Sequence, residues 1–418
     1  MSDLSSHILV LGAGHAGDSV AAFLRQYGWQ GSITLAGNEG TAPYHRPPLS
    51  KALLLGQIPD DDLSLRPASF YDKQNIRLLT DIHAIQIERA QRRVKVRNGE
   101  PLAYDHLILA TGARVRALDV PGKELEGVMS LRGRADSLAF RDAIRPRKHV
   151  VIVGGGYIGL EAAASASKLG ANVTVIEREA RLLARVASPF LAQYVHDYYR
   201  ARDVAIELSA SVAGFEGNGG RVTEVRLADD RTLLCDVALV GIGVLAEQSL
   251  AVAAGLACND GVLVDEHART SDERIHAIGD CTRRPLRLGG SDLMVRLESV
   301  HNATEQARQA ASDLCGRAAP VVECPWTWSD QFDLRLQLAG FPKAAADTVV
   351  RGDPMKDAFA IFHLDAAARL QAVEAINAPT EFAFARRVAA SGVPLPRNRL
   401  SDPAVPLKAL MDDALTRA

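Results

Sequence analysis

Two stretches of the chain, Gly12-Ala-Gly-His-Ala-Gly17 and Gly154-Gly-Gly-Tyr-Ile-Gly159, share the spacing GxGxxG. In such a turn the first glycine (Gly12, Gly154) permits a tight bend, and the second (Gly14, Gly156) lets the backbone approach a pyrophosphate. The third (Gly17, Gly159) lets the following helix pack closely on the strand. A helix that starts there offers unpaired N–H groups and a partial positive charge to the phosphates. One isolated GxGxxG is a weak signal. Here both copies follow an apolar run, His7-Ile-Leu-Val-Leu11 and His149-Val-Val-Ile-Val153, and both lead into a helical pattern, the context that gives the motif meaning. Tyr157 and Ile158 lie inside the second turn and are candidate contacts with the bound dinucleotide. An acid about 20 residues on is expected to take the ribose hydroxyls. Glu177 stands 18 residues after Gly159. A carboxylate there bonds a ribose 2′-hydroxyl and repels a 2′-phosphate, which favours NADH over NADPH. For the first turn the candidates are Asn38 and Glu39.

These turns need strands and helices to hold them. Ala21-Ala-Phe-Leu24 gives the first helix an apolar face, and the alanine-rich run 160–169 gives the second. The runs Ile33-Thr-Leu-Ala36 and Val173-Thr-Val-Ile176 complete two β-α-β units. A third run, His106 to Gly112, ends at Thr111-Gly112, and Val237 to Gly243 is its counterpart after the second unit. Ile275-His-Ala-Ile278 leads into Gly279-Asp280. In flavoproteins with two dinucleotides, Thr-Gly marks the return from the FAD domain, and the Asp bonds the ribityl or pyrophosphate part of FAD; the same Asp can also cap a helix. The order predicts an α/β protein with two Rossmann-like, glutathione-reductase-like domains. Residues 1–113 and 245–325 are expected to form one nucleotide domain and residues 114–244 an insert; likeness to those flavoproteins implies FAD binding for the first and NAD binding for the second. Residues 326–418, with short alternating runs such as Phe359-Ala-Ile-Phe-His363, form a small α+β domain.

The 418 residues carry 48 Lys and Arg against 50 Asp and Glu, a net charge of −2. That argues against a nucleic-acid binder driven by bulk charge. No run of about 18 apolar residues signals a membrane span, and no basic leader precedes the first strand. The expectation is a cytoplasmic protein, monomer or weak homodimer, with neither membrane nor nucleic acid as partner. The five cysteines, at 235, 258, 281, 315 and 324, have neither CxxC nor CxxxxC spacing. They read as free thiols in a reducing compartment.

Further segments extend the pattern: Pro43-Tyr-His-Arg-Pro-Pro-Leu-Ser-Lys51, Leu183-Ala-Arg-Val-Ala-Ser-Pro189, Leu297-Glu-Ser-Val-His-Asn302, Trp326-Thr-Trp-Ser-Asp-Gln-Phe332 and Asn377-Ala-Pro379. With the glycine turns, they make the chain resemble the single-FAD ferredoxin reductases that serve bacterial oxygenases. The resemblance implies FAD and NAD(H) as cofactors. It implies a two-iron two-sulfur ferredoxin as partner and, indirectly, a terminal oxygenase. Lys51 is implied to lie near the flavin N5, paired with Glu161. Ala16, Arg46, Pro47, Ala84, Arg132, Asp280 and Val300 are implied FAD contacts. Glu298 is implied to reach the nicotinamide amide, at the start of a helix whose dipole favours an anionic flavin. Trp328 is implied to line the flavin or ferredoxin side. The chain departs from the family pattern at Gly241-Ile-Gly-Val-Leu-Ala-Glu247, which lacks the usual Pro-Asn, and at Asn38, where Asp is common.

The implied chemistry is conversion. NADH gives two electrons as a hydride, an iron–sulfur cluster takes one at a time, and a flavin can do both. Disulfide reductases of similar motif order keep a cysteine pair after the first turn, yet residues 40–60 hold none. Electrons are therefore expected to leave the flavin directly. Alternatives on the same fold are rubredoxin, quinone or oxygen as acceptor, and a partner protein like apoptosis-inducing factor that binds NADH. Docking of an acidic ferredoxin needs basic residues, for which Arg66, Arg283, Arg284, Arg287, Arg296, Arg335 and Lys343 are candidates.

Overall fold

Strand Ile8–Leu11 is buried along its whole length, as a strand covered on both faces must be. It is the middle of a five-stranded parallel sheet. The order is Ile275–Ala277, His106–Leu109, Ile8–Leu11, Ile33–Ala36 and Ile76–Leu79. The computed structural model describes residues 4–288, 291–342, 345–389 and 391–416. Candidate Lys343 lies outside them. The described chain divides into two units.

The first unit comprises residues 1–45, 63–114 and 245–327. Helix His15–Gln26 leaves the central strand and packs along helix Val300–Leu314. Val20, Ala21 and Leu24 meet Ala303, Ala307 and Ala310 in one core. The alanines let the two helices come close. A small antiparallel sheet, Ala84–Glu88 with Arg93–Val96 and Leu102–Ala103, completes the plan.

The second unit comprises residues 46–62, 115–244 and 328–418. Its parallel sheet runs Ala205–Leu208, Asn172–Glu177, His149–Val153, Val237–Val240 and Val128–Met129. Helix Tyr157–Lys168 buries Leu160, Ala162, Ala163 and Ala166 completely. A second antiparallel sheet spans Val212 to Leu234. The C-terminal part is a five-stranded sheet of order Trp326–Gln331, Leu334–Gly340, Leu370–Ile376, Ala358–Leu364 and Asp347–Asp353, antiparallel from Leu334–Gly340 onward. Helix Pro379–Ala389 packs on it through Phe382, Phe384 and Val388. The fold class read from the sequence holds: two Rossmann-like sheets and an α+β C-terminal part. No described helix is long and apolar enough to cross a membrane.

Candidate functional site

In each unit, three neighbouring strands end at one edge of the sheet, the place where open α/β sheets bind ligands. In the first unit the edge holds Gly12 after Leu11, Thr111 and Gly112 after Leu109, and Gly279-Asp280 after Ala277. In the second it holds Gly154 after Val153, Glu177 itself, and Gly241 to Gly243 after Val240.

The glycines are demanded by backbone. Gly12 has φ +115°, and a Cβ there would lie 2.0 Å from the Ala110 carbonyl oxygen. Gly154 repeats this with φ +114° and a 2.4 Å approach to the Gly241 oxygen. A Cβ on Gly17 would strike the Gly12 oxygen at 1.8 Å, and one on Gly159 the Gly154 oxygen at 2.0 Å. The middle glycines differ from these. Gly14 and Gly156 are helix N-caps without any side-chain cap, and a Cβ on Gly156 would meet nothing within 4 Å. By contrast Ser188 and Ser299 cap their own helices through Oγ. Two helices therefore keep their first N–H groups for an outside acceptor, and a dinucleotide pyrophosphate fits that chemistry.

Around the first turn, Ala16 is buried against Gly279. Asp280 sits in the short turn Gly279–Cys281, separate from the long helix that Ser299 caps. Gln306 steadies that turn, its Oε1 accepting the Gly279 N–H and the Thr282 hydroxyl, each at 2.8 Å. Thr111 donates its hydroxyl to the Glu247 carbonyl at 2.6 Å. Asn38 and Glu39 are exposed, and Glu39 accepts the Tyr44 hydroxyl. Ala84 opens the small antiparallel sheet. Val300 opens its helix, and Glu298 just before is exposed and paired with Arg296. One residue past Gly17, buried Asp18 accepts Arg66 Nε at 2.9 Å and the Tyr71 hydroxyl. Burial pushes its carboxyl up, against the pull of Arg66 and Tyr71.

The second turn is braced from below. Glu177 Oε2 accepts the Gly155 N–H at 2.8 Å, and its Oε1 accepts the Glu179 N–H at 2.9 Å. Each carboxylate oxygen keeps a further lone pair for a ribose hydroxyl. Of its neighbours, Arg178 is exposed and beside Glu179, while Arg181 is committed to the Ala184 and Ala187 carbonyls. Tyr157 is half-buried and Ile158 exposed at the start of the helix. Gly243, with φ +98°, has the Arg185 guanidinium packed over it.

One turn along the same helix lies Glu161, 3% exposed. Its Oε1 accepts Lys51 Nζ at 3.0 Å and Ser329 Oγ at 2.7 Å, and its Oε2 accepts Ser50 Oγ. Gln331 Nε2 donates on to Ser329 at 3.0 Å, and the Tyr199 hydroxyl lies 3.0 Å from Gln331 Oε1. A buried carboxylate is costly unless paired and hydrogen-bonded, and this one is both. The segment that brings Lys51 starts as the short helix Pro47–Ser50, where proline's missing N–H costs nothing. Two hydroxyls fasten it: Ser137 donates to the Leu49 carbonyl at 2.6 Å and Ser165 to the Ser50 carbonyl at 2.8 Å. Arg46 donates to the Arg132 carbonyl at 3.0 Å. Lys51 and Glu161 line a cavity of about 340 Å³ with Trp328, Asp330, Phe332 and Lys168. The Lys51–Glu161 pair implied by resemblance is thus present, and Trp328 stands at the same cavity.

Sequence reasoning missed Ser50, Ser329, Gln331 and Arg185. Alternation in Trp326–Gln331 was the available signal: Ser329 and Gln331 are buried while Trp328 and Asp330 are half-buried. Of the basic candidates, Arg66 is held by Asp18, Arg284 is buried on Glu305, and Arg296 pairs with Asp260 and Glu298. Arg283 is half-buried, and Arg287 and Arg335 are exposed. None of the five cysteines is in a disulfide; Cys235, Cys281 and Cys324 are buried, and burial pushes the Cys235 thiol up to about 12.

The family model described as pyridine nucleotide-disulphide oxidoreductase matches residues 6–307, and that described as reductase C-terminal matches residues 326–411. A probable ferredoxin reductase of Castellaniella defragrans is 44% identical, over 97% of this chain and 99% of its own length. Rhodocoxin reductase of Rhodococcus erythropolis is 39% identical, over 96% of this chain and 93% of its own. The reductase in a solved covalent putidaredoxin reductase–putidaredoxin complex matches with a TM-score of 0.95 at 37% identity, covering 98% of this chain and 99% of that one.

Proposed function

Because the chain belongs to the pyridine nucleotide-disulphide oxidoreductase family, we propose that it oxidises NADH and supplies electrons singly to a two-iron two-sulfur ferredoxin that serves a terminal oxygenase. It is an FAD-dependent oxidoreductase, and its cofactors are FAD and NAD(H). We assign FAD to the first glycine turn, with Asp280, Thr111 and Gly112, and the nicotinamide dinucleotide to the second, with Glu177 and Gly243. Bound FAD supplies the exchange between two-electron and one-electron chemistry.

The observation that carries the reading is the Lys51–Glu161 pair. Glu161 accepts two hydroxyls as well as the ammonium, so Lys51 is held at one place. A fixed, poorly solvated positive charge favours an electron-rich ring more than a mobile one in water does. No side chain here has to take or give a proton for hydride exchange. Gly156 leaves room for the pyrophosphate, and Glu177 sorts the ribose by its 2′ substituent. With no cysteine in a disulfide and no CxxC or CxxxxC spacing, the chain offers no dithiol relay. The same reading covers a cytoplasmic monomer or weak homodimer that needs neither membrane nor nucleic acid. Docking through Arg283, Arg287 or Arg335 would weaken with added salt.

The test is stopped-flow reduction followed by turnover. NADH should bleach the flavin at least about tenfold faster than NADPH at equal concentration. Cytochrome c reduction should then depend on added ferredoxin and fall as salt rises. Equal cytochrome reduction without ferredoxin, or with rubredoxin in its place, refutes the acceptor. A purified protein that cannot take up flavin refutes the whole reading.

A further inference from the structure

Glu374, on strand Leu370–Ile376 of the C-terminal sheet, is completely buried, and its bonds are to residues outside the Lys51 cluster. Its Oε1 accepts the backbone N–H of Ser188 at 2.7 Å, and its Oε2 lies 2.8 Å from Nε2 of His363, itself 2% exposed. Ser188 is the cap of helix Pro189–Arg200 and the last residue of the loop that follows Glu177. That loop is a tightly bonded piece. Arg181 grips the Ala184 and Ala187 carbonyls at 3.0 and 2.7 Å. The Ala187 N–H returns to the Leu183 carbonyl at 2.9 Å. Leu183, at φ +51°, donates its N–H to the Gly155 carbonyl at 2.9 Å. Gly155 in turn donates to Glu177. The loop is therefore bonded to the second glycine turn at one end and to Glu374 at the other, and it carries Arg185 over Gly243 between them.

A buried carboxylate–imidazole pair is a poor way to gain stability, because apolar residues of the same volume serve as well or better. Its geometry explains it better: an oxygen acceptor aimed at one N–H of a loop that would otherwise end only in its own cap. Tyr157 responds to the same charge, for burial first, then Glu374 and Glu161, push its hydroxyl up. We propose that Glu374 is a positioning residue for the pyridine nucleotide, through which the C-terminal sheet fixes the 181–188 loop and hence the second glycine turn and Arg185. The C-terminal part then contributes to binding NADH without touching it. His363 orients the carboxyl from the neighbouring strand.

This rests on NADH using the second turn, so the unsubstituted holoenzyme is measured alongside; if NADH leaves its flavin oxidised, that reading has failed and not this one. Given a responsive parent, flavin reduction is followed by stopped flow over a range of NADH concentrations. Glu374→Ala should raise the half-saturating NADH concentration about tenfold and leave the limiting rate within about twofold. Glu374→Gln, which keeps an oxygen for the Ser188 N–H, should stay within about threefold of the parent in both. Unchanged half-saturation in the alanine variant, a fall in limiting rate alone, or a glutamine variant as impaired as the alanine one overturns the proposal. If the alanine variant fails to fold with flavin, Glu374→Asp decides. It keeps the charge but withdraws the oxygen by one methylene. Half-saturation raised about fivefold supports the proposal, and the parent value overturns it.

Discussion

The two glycine turns share a backbone and differ in what the chain places around them. In the first unit the edge strand Ile275–Ala277 runs straight into the Gly279–Cys281 turn, with helix Val300–Leu314 lying against that turn. In the second unit the strand at that edge is the two-residue Val128–Met129, which enters from elsewhere in the chain. The buried acids differ as well. Asp18, one residue past Gly17, is bonded to Arg66 and Tyr71, while Glu161, two residues past Gly159, is bonded to Lys51 and two serines. The first turn thus has the Gly279–Cys281 turn beside it, with Ala16 lying against Gly279 and helix Val300–Leu314 behind. The other is braced from beneath by Glu177 and Leu183 while its middle glycine faces open space, which suits a ligand that must come and go.

That contrast is most exposed to glycine substitutions. Gly12→Ala puts a methyl group into the Ala110 carbonyl at positive φ, so a loss of about 3 kcal/mol or more, or no flavoprotein at all, is expected in thermal melts and flavin retention. Gly156→Ala meets no atom of the protein. Its Tm should stay within about 2 °C of the parent while the KM for NADH rises about tenfold. Should NADH bind the Gly156→Ala protein as before, no pyrophosphate sits at that turn.

Lys51→Ala comes next. It should slow flavin reduction by NADH at least about tenfold, and it leaves Glu161 buried without its cation, which costs about 3 kcal/mol. Adding Glu161→Gln should return most of the stability and none of the rate. Reduction as fast as in the parent would remove Lys51 from the site. Glu177→Arg should weaken NADH use about tenfold and improve NADPH use; an unaltered preference in steady-state kinetics would take the ribose away from Glu177.

The smallest effect concerns the edge strand of the first unit. There His276, nearly inaccessible, lies 2.9 Å from Asp313 Oδ2, and Arg269 also holds that carboxyl. Burial pushes the Asp313 carboxyl up, but the bonds from His276 and Arg269 outweigh it and hold the group well below the usual range. A folded value below the unfolded one gives stability that is present above about pH 4 and is lost as pH falls through the folded value. Asp313→Asn should therefore lower stability by roughly 2 kcal/mol at pH 7, with a smaller difference near pH 2 in chemical denaturation. A pH-independent difference would mean that packing, and not charge, sets the effect.

Much of the frame was legible because it rests on local rules. The strand runs, the glycine spacings and the acid at 177 each follow from periodicity or backbone geometry, and the structure places them at one sheet edge in each unit. What the sequence concealed are meetings over long separations. Ser329 reaches Glu161 across 168 positions and Glu374 reaches Ser188 across 186, and no local pattern announces such a bond. Charge was concealed for a related reason. Arg66 and Arg284 look like surface cations until their carboxylate partners, far along the chain, fold against them.

The state of the cysteines has a last consequence, for capacity. With no cysteine in a disulfide and no CxxC or CxxxxC spacing, reducing equivalents are expected to be held on the flavin. Anaerobic titration should consume two electrons per flavin, where a chain with a redox-active dithiol would take four. A filled protein must discharge before it can accept from another donor molecule, so the supply of oxidised acceptor throttles fuel consumption.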